Sequence, residues 1–398
     1  MRVAVIRQGY FEIDPRVQRE VGALVRAGHE VDVIALRDRG HPRMERDGVL
    51  TIRRLRIPRR RGGPLAYLAE YAAFFAAAFV TVAALHGRRR YDLVQVHSLP
   101  DGLVFAALVP KLTGARVLLD LHECMPEFLA TKFGLGMGHP AVRVVAALEQ
   151  ASIRFADFAI TCTAQMRDAF VGRGADPERI GLVHNSADED VFDPDRHPPS
   201  GVGDGGFTLI CHGSVEERYG LDTAIRAVAL LADELPELRL EVYGTGSELP
   251  RLRELAAELD VRDRVEFSGR FVPIEDLVAA IRRADAGVVA MKRDAFRDLV
   301  HCNKMYDLVA MRTPVICSRT HSVEAYFGRD CFQYFTADDP EDLARAIREL
   351  RGDPERAAKL VETAAATVEP YRWPRQRERY EVYVGSTRAG SRGAAGDP

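Results

Sequence analysis

A chain of 398 residues is too long for one ordinary domain of roughly 100 to 200 residues and fits two. With 47% hydrophobic and 28% charged residues it can build substantial cores, which excludes a globally disordered chain. Fifty-five basic and 58 acidic side chains leave a formal net charge of −3, which speaks against a dedicated nucleic-acid binder.

In chain order, Arg2 to Ile6 reads as a short apolar strand that runs into Gly9. A helical pattern of Val17, Val21, Leu24 and Val25 follows and stops at Gly28. The apolar run before Arg7 is too short for a secretory signal core. A second strand is expected at Val31 to Ala35. Beyond it the charge becomes uneven: only five basic residues are lysine, and arginines crowd at Arg53, Arg54, Arg56, Arg59, Arg60 and Arg61, then again at Arg88 to Arg90. Between these clusters, Leu65 to Leu85 carries a single charge, Glu70, over a length close to the about 20 apolar residues that cross a bilayer. Three readings fit this segment: a long core helix, a spanning helix, and a helix resting its aromatic face (Tyr67, Tyr71, Phe74, Phe75) on an anionic membrane surface.

Further strands are expected at Leu93 to His97, Val117 to Leu121, Phe158 to Thr161 and Ile180 to Val183. Asp193 to Gly206 holds three prolines and four glycines and reads as a linker. The opening grammar then begins again: a strand at Phe207 to Cys211, Gly213, a helix carrying Leu221, Ile225 and Val228, and a strand at Leu238 to Tyr243. Val265 to Phe267, Ala286 to Ala290 and Pro314 to Cys317 add strands. Strand, glycine turn, helix, strand is the start of a parallel α/β sheet, so the chain is expected to form two doubly wound domains. The expected boundaries are 1–192, a linker 193–206, and 207–384, with the last helix crossing back to the first domain. The tail 385–398 has the composition of a disordered segment. The six cysteines lie far apart without a CxxC pair and read as reduced thiols of a cytoplasmic protein.

Open parallel sheets bind ligands beyond the carboxyl ends of their strands, so two facing domains imply a cleft with a phosphate-seeking wall. Neither Gly9 nor Gly213 opens a GxGxxG, and a Walker loop is missing, which lowers the case for dehydrogenases and P-loop kinases.

Seven landmarks then occur in order: Asp14-Pro15-Arg16-Val17 with Gly28-His29-Glu30-Val31; Asp92 to His97; Leu119 to Glu123; His184-Asn185-Ser186 through Phe192; Gly213-Ser214 with Arg218-Tyr219-Gly220; Tyr243-Gly244-Thr245-Gly246; and Asn303-Lys304-Met305-Tyr306-Asp307 through Val315. Together they resemble the retaining nucleotide-sugar glycosyltransferases of family 4, over about residues 1 to 384. The resemblance implies a GT-B fold of two Rossmann-like domains facing across a cleft. It also implies a hexosyltransferase moving a sugar from a nucleoside diphosphate, UDP first among them, to a hydroxyl on a lipid-linked or polysaccharide acceptor, with retention. A small natural-product acceptor, a nucleotide-sugar epimerase and a noncatalytic scaffold are the alternatives.

On the same resemblance, His122, Arg218 and Lys304 are the catalytic candidates. Gly213, Ser214, Arg218, Tyr219, Gly244, Gly246, Arg270, Asn303, Lys304, Met305 and Asp307 would bind the donor, and Gly9, Asp14, Arg16 and His97 the acceptor. Fixed cations at the departing diphosphate lower the barrier, which is the work expected of Arg218 and Lys304. The family's more usual loop has arginine where Ser214 stands and lysine where Tyr219 stands, and its first glutamate is here Leu299, with Asp298 as the adjacent substitute. No metal and no cofactor beyond the donor substrate are expected, since no DxD stands between a strand and a loop where it would hold a divalent ion against the diphosphate. The expected location is the cytoplasm, with peripheral attachment to the inner membrane face, cell-envelope or polysaccharide synthesis as the setting, and no nucleic acid as partner.

Overall fold

The computed structural model describes residues 1–38, 40–57, 64–197 and 206–386. It divides into two compact units, one formed by Met1–His184 with the C-terminal stretch from Pro374, the other by Asn185–Trp373. Arg59 to Arg61, most of the expected linker and nearly all of the tail lie outside the described residues.

The first unit is built on β1 (Arg2–Arg7), β2 (Glu30–Leu36), β3 (Met44–Asp47), β4 (Leu50–Leu55), β5 (Leu93–His97), β6 (Arg116–Leu121), β7 (Phe158–Thr161) and β8 (Ile180–Leu182). They lie in the order β3-β4-β2-β1-β5-β6-β7-β8. All neighbours are parallel except β3, which is antiparallel to β4. The interior strands are buried along almost their whole length, which is why they read as continuous apolar runs. Sequence reasoning missed β3 and β4 because arginine hides the pattern. Arg53 spans from β4 to Asp32, and Arg54 is buried against Glu12 and Glu45, so two members of the basic cluster are neutralised within the domain.

Connecting helices are α1 (Pro15–Arg26), α2 (Pro64–Arg89), α3 (Leu108–Leu112), α4 (Met125–Phe133), α5 (Pro140–Phe155) and α6 (Ala164–Gly172). From β1 the chain moves one way to β2, whereas β4, β5, β6 and β7 each lead the other way. Right-handed crossovers therefore put α1 on one face of the sheet and α2 to α6 on the other. Asp14 caps α1 and Pro15 starts it, a pre-set φ at a position whose N–H would be unpaired anyway. Helix α2 buries one stripe, Phe74, Ala78, Val82 and His86, at a spacing of four. It is long and apolar enough to cross a membrane, yet only 17% of its most apolar window is buried, so a wholly packed core helix is not what forms. Phe74 belongs to the inner stripe and not to an exposed aromatic face.

The second unit holds α7 (Leu221–Leu230), α8 (Leu249–Glu258), α9 (Ile274–Arg283), α10 (Asn303–Ala310), α11 (His321–Phe327), α12 (Pro340–Gly352) and α13 (Pro354–Val368). They surround β9 (Phe207–His212), β10 (Leu238–Tyr243), β11 (Val265–Phe267), β12 (Ala286–Val289), β13 (Val315–Ser318) and β14 (Gln333–Phe335), arranged β11-β10-β9-β12-β13-β14. All are parallel, and the strand order reverses at β9, as in dinucleotide-type sheets. Residues 185–192, which sequence reasoning gave to the first domain, belong here: Ala187 and Phe192 pack in a core with Ile210, Met305 and Tyr306.

The last helix, α14 (Trp373–Ser386), belongs almost wholly to the first unit. Its Tyr380 is fully buried and donates a hydrogen bond to Gln95, and its Tyr383 stacks on Phe158. Gly181 is needed at that contact, since a Cβ there would stand 2.4 Å from the Tyr383 ring. All six cysteines are free thiols.

Candidate functional site

In each sheet the chain reverses direction at one place, and the loops beyond the carboxyl ends of the strands there carry the expected residues. In the first unit this is the β1/β5 edge. Arg7 ends β1, His97 ends β5, and Asp120 and His122 stand at the end of β6. Asp120, fully buried, accepts from Arg16 through both oxygens at 2.8 Å, while His97 Nδ1 and His122 Nε2 each stand 3.0 Å from its Oδ2. If both imidazoles donate to that oxygen, the unprotonated Nδ1 of His122 is left as an acceptor for a substrate hydroxyl. Burial pushes the His122 pKa down to about 4 against the pull of Asp120, with Arg7 adding to the fall, so the ring is neutral at pH 7. Burial alone would raise Asp120, but Arg16 and His122 hold it well below the usual carboxylate range. Glu20 goes the other way: burial and the neighbouring Asp120 push its pKa well above the usual carboxylate range, against the pull of Arg16.

The geometry revises two of the four acceptor candidates. Arg16 is buried, spent on Asp120, Glu20 and the carbonyl of Val183, and His97 is buried between Asp120 and Gln95. Both side chains are enclosed and engaged with the Asp120–His122 pair, which they orient. Asp14 and Gly9 remain at the rim. Asp14 accepts from Arg7 Nε at 2.9 Å and from the Val17 amide. Burial acts to raise its pKa, but Arg7, His122 and His97 outweigh it and keep the carboxylate ionised. His97, Asp120 and His122 offer ligand atoms within 4.8 Å of one another, close enough for a metal ion. The Arg16 guanidinium already occupies both Asp120 oxygens, and its fixed positive charge opposes a cation there.

In the second unit the β9/β12 edge collects the donor candidates. Three glycines are dictated by close backbone crossings: a Cβ on Gly244 would lie 1.8 Å from the Gly213 carbonyl oxygen, on Gly246 2.0 Å from that of Val215, and on Gly220 2.0 Å from that of Ala290. Lys304, in the first turn of α10, reaches back so that its Nζ donates to the Ser214 carbonyl at 3.3 Å and sits 3.6 Å from the centroid of the Tyr219 ring. The Arg218 guanidinium carbon lies 5.1 Å from the same centroid. Burial, with the Arg218 charge adding to it, lowers the Lys304 pKa. Among the described residues no carboxylate lies within ion-pair distance of Lys304. Lys304 and Arg218 therefore both lie against one aromatic ring beside a glycine turn.

Asp307 accepts from His212 Nε2 at 3.1 Å, which holds its carboxylate at the carboxyl end of β9. Asn303 opens α10 with its Oδ1 buried and unpaired. Arg270 is exposed in the loop after β11, where its carbonyl accepts from Ser268. Met305 is a correction: its side chain is fully buried in the core, which leaves only its backbone for any donor contact. Asp298, the carboxylate adjacent to Leu299, binds Arg293 and the His321 amide and so anchors its own loop. Sequence reasoning missed Arg7, Glu20 and His212. The last carries the same signal as His97, a histidine closing an apolar strand; Glu20 was signalled by its i,i+4 spacing from Arg16.

Two family models match, one described as a glycosyl transferase 4-like domain over residues 13–186 and one as glycosyl transferases group 1 over residues 206–353. Curated relatives include the D-inositol 3-phosphate glycosyltransferase of Thermomonospora curvata, 26% identical with 83% of this chain and 79% of that protein covered. A protein of the same name from Catenulispora acidiphila is 27% identical, with 76% and 74% covered. Among solved structures, sucrose-phosphate synthase of Thermosynechococcus elongatus superposes with a TM-score of 0.76 at 20% identity, covering 98% of this chain and all of that one. Anabaena HepE in complex with UDP-glucose gives 0.71 at 15% identity, covering 97% and 100%.

Proposed function

The chain is a glycosyltransferase of the GT-B type, and on that premise we propose that it is a retaining family 4 enzyme. It transfers a sugar from a nucleoside diphosphate, UDP in the first instance, to a hydroxyl of a lipid-linked or polysaccharide acceptor presented at the inner membrane face. The single observation that carries the donor side is the Lys304 ammonium, held against Tyr219 and Ser214 beside Arg218 with no carboxylate partner among the described residues. A diphosphate supplies the missing negative charge, and as the sugar bond breaks the growing charge on the β-phosphate strengthens both contacts. UDP is favoured because HepE, of like fold, was solved with UDP-glucose. Asp307, held by His212, keeps a carboxylate oxygen for ribose hydroxyls.

On the acceptor side, neutral His122 takes a hydrogen bond from a hydroxyl, and Asp14, kept ionised by Arg7, orients a second. With retention, the acceptor oxygen attacks on the face the leaving phosphate departs from, and a phosphate oxygen takes its proton. No enzyme nucleophile is then required. Two fixed cations at the diphosphate make a metal ion unnecessary, so chelation is expected to leave transfer intact. A second reading, a small phosphorylated polyol as acceptor, draws on the relatives named for inositol 3-phosphate.

Purified protein incubated with a panel of UDP-, GDP- and dTDP-sugars, with nucleotide release and product mass followed, is expected to turn over at least one donor. Lys304→Met should lower that rate by about 10²-fold, the usual effect of removing one charge-stabilising donor. A panel with no binding and no turnover sinks the proposal. Acceptors of both kinds in the same assay separate the two readings.

A further inference from the structure

At the carboxyl edge of the first sheet, where β4 leads into α2 and β6 into α4, a group of large apolar side chains faces outward. Tyr67 is 48% exposed, Leu68 63%, Phe133 50% and Met137 44%. The rings of Tyr67 and Phe133, with that of half-buried Phe128, gather around one cation: the Lys132 ammonium lies 5.6 Å from the Tyr67 centroid, 5.6 Å from Phe128 and 5.8 Å from Phe133. One turn further along α2, Tyr71 is close enough to Arg7 and Glu123 for their charges to act on its hydroxyl, so the patch borders the acceptor rim. Among the acidic side chains nearby, none is fully exposed, Glu123 being half-buried. Glu127 and Glu149 are buried on Arg173, and Glu70 is half-buried, whereas Lys132 and Arg143 are exposed.

An apolar patch centred on a cation and cleared of exposed carboxylates matches the boundary of an anionic bilayer, where rings and aliphatic chains enter the acyl edge while ammonium groups meet phosphate. We propose that Tyr67, Leu68, Phe133 and Met137 around Lys132 form the face that docks on an anionic lipid surface and brings the acceptor rim to a lipid-linked substrate. It rests on the reading of a membrane-presented acceptor, and it replaces Arg53 and Arg54, which are spent inside the domain, as the membrane-facing feature.

The full chain is cosedimented with vesicles of phosphatidylglycerol and phosphatidylcholine, and with phosphatidylcholine alone, at rising salt. Binding to the anionic vesicles, weakened by salt, is expected. The triple variant Tyr67→Ser, Leu68→Ser, Phe133→Ser should bind at least about tenfold less, and Lys132→Ser about fivefold less. Both should keep their unfolding midpoint and their turnover of a water-soluble acceptor, because none of these side chains is buried. Undiminished vesicle binding by the triple variant overturns the proposal, as does absence of binding by the native chain. So does a dimer of the native chain that the triple variant abolishes while vesicles are ignored, which would give the face to a second copy. Donor turnover is scored separately: if it fails while vesicle binding holds, the transfer reading falls and the docking face stands.

Discussion

His122 is the residue whose environment most changes its chemistry. An exposed histidine would be half charged near its ordinary pKa of about 6.5. Burial holds this one near 4, so the unfolded chain takes up its proton before the folded one does. A depressed imidazole pKa means that the stability is whole above about 6.5 and is lost as pH falls toward about 4. His301, buried in the second unit with its pKa also lowered to about 4, acts in the same direction. Urea unfolding followed from pH 7 to pH 4.5 should therefore show a falling midpoint, and His122→Gln should remove its share of that slope. A slope identical in the variant would contradict the assignment. The identity of His122 could be read from its place after an apolar strand. Its neutrality could not, because that comes from burial with the charge of Arg7 adding to it, against the pull of Asp120 and Asp14, and both the burial and Arg7 are brought to His122 only by the fold.

At the scale of elements, the parallel strands were legible because burial on both faces writes them as apolar runs, and several were placed to the residue, among them Leu93–His97 and Phe158–Thr161. Strands β3 and β4 were not legible: Arg53 and Arg54 look like a surface cluster until Asp32, Glu12 and Glu45 are seen beside them. Glycine turns divide similarly. Gly246 lacks a positive φ, yet its missing Cβ leaves room for the Val215 carbonyl, whereas a Cβ on Gly136 would meet nothing within 4 Å. Gly246→Ala is expected to cost about 1–3 kcal/mol by forcing the two loops apart. Donor affinity should fall with it, while Gly136→Ala leaves both near native. Thermal unfolding and calorimetric titration with UDP check the pair, and equal behaviour of the two variants would refute the close-crossing argument.

For the whole molecule, the C-terminal helix makes the first unit depend on the far end of the chain. Tyr380 packs within the fold of residues 1–184 and donates to Gln95, which in turn donates to Glu20 beside the Asp120 network. Tyr380→Phe leaves the Gln95 oxygen buried and unpaired, at about 1–3 kcal/mol. That loss should appear in hydrogen exchange of β5 and β6 and leave β9 and β10 unchanged; equal loss in both units would count against it. The sequence by itself determined that there are two parallel α/β domains, where most strands run, and which loops carry cations and glycines, because burial and backbone geometry act on neighbouring residues. Only the tertiary structure decided which of those residues are enclosed and which stay open to solvent. Arg16, His97 and Met305 carry the right motif but are enclosed, and Arg7, Glu20 and His212 gain their roles from partners many residues away. Burial and charge pairing are properties of position in space, and a spacing pattern in one strand or helix carries no information about what the fold brings against it.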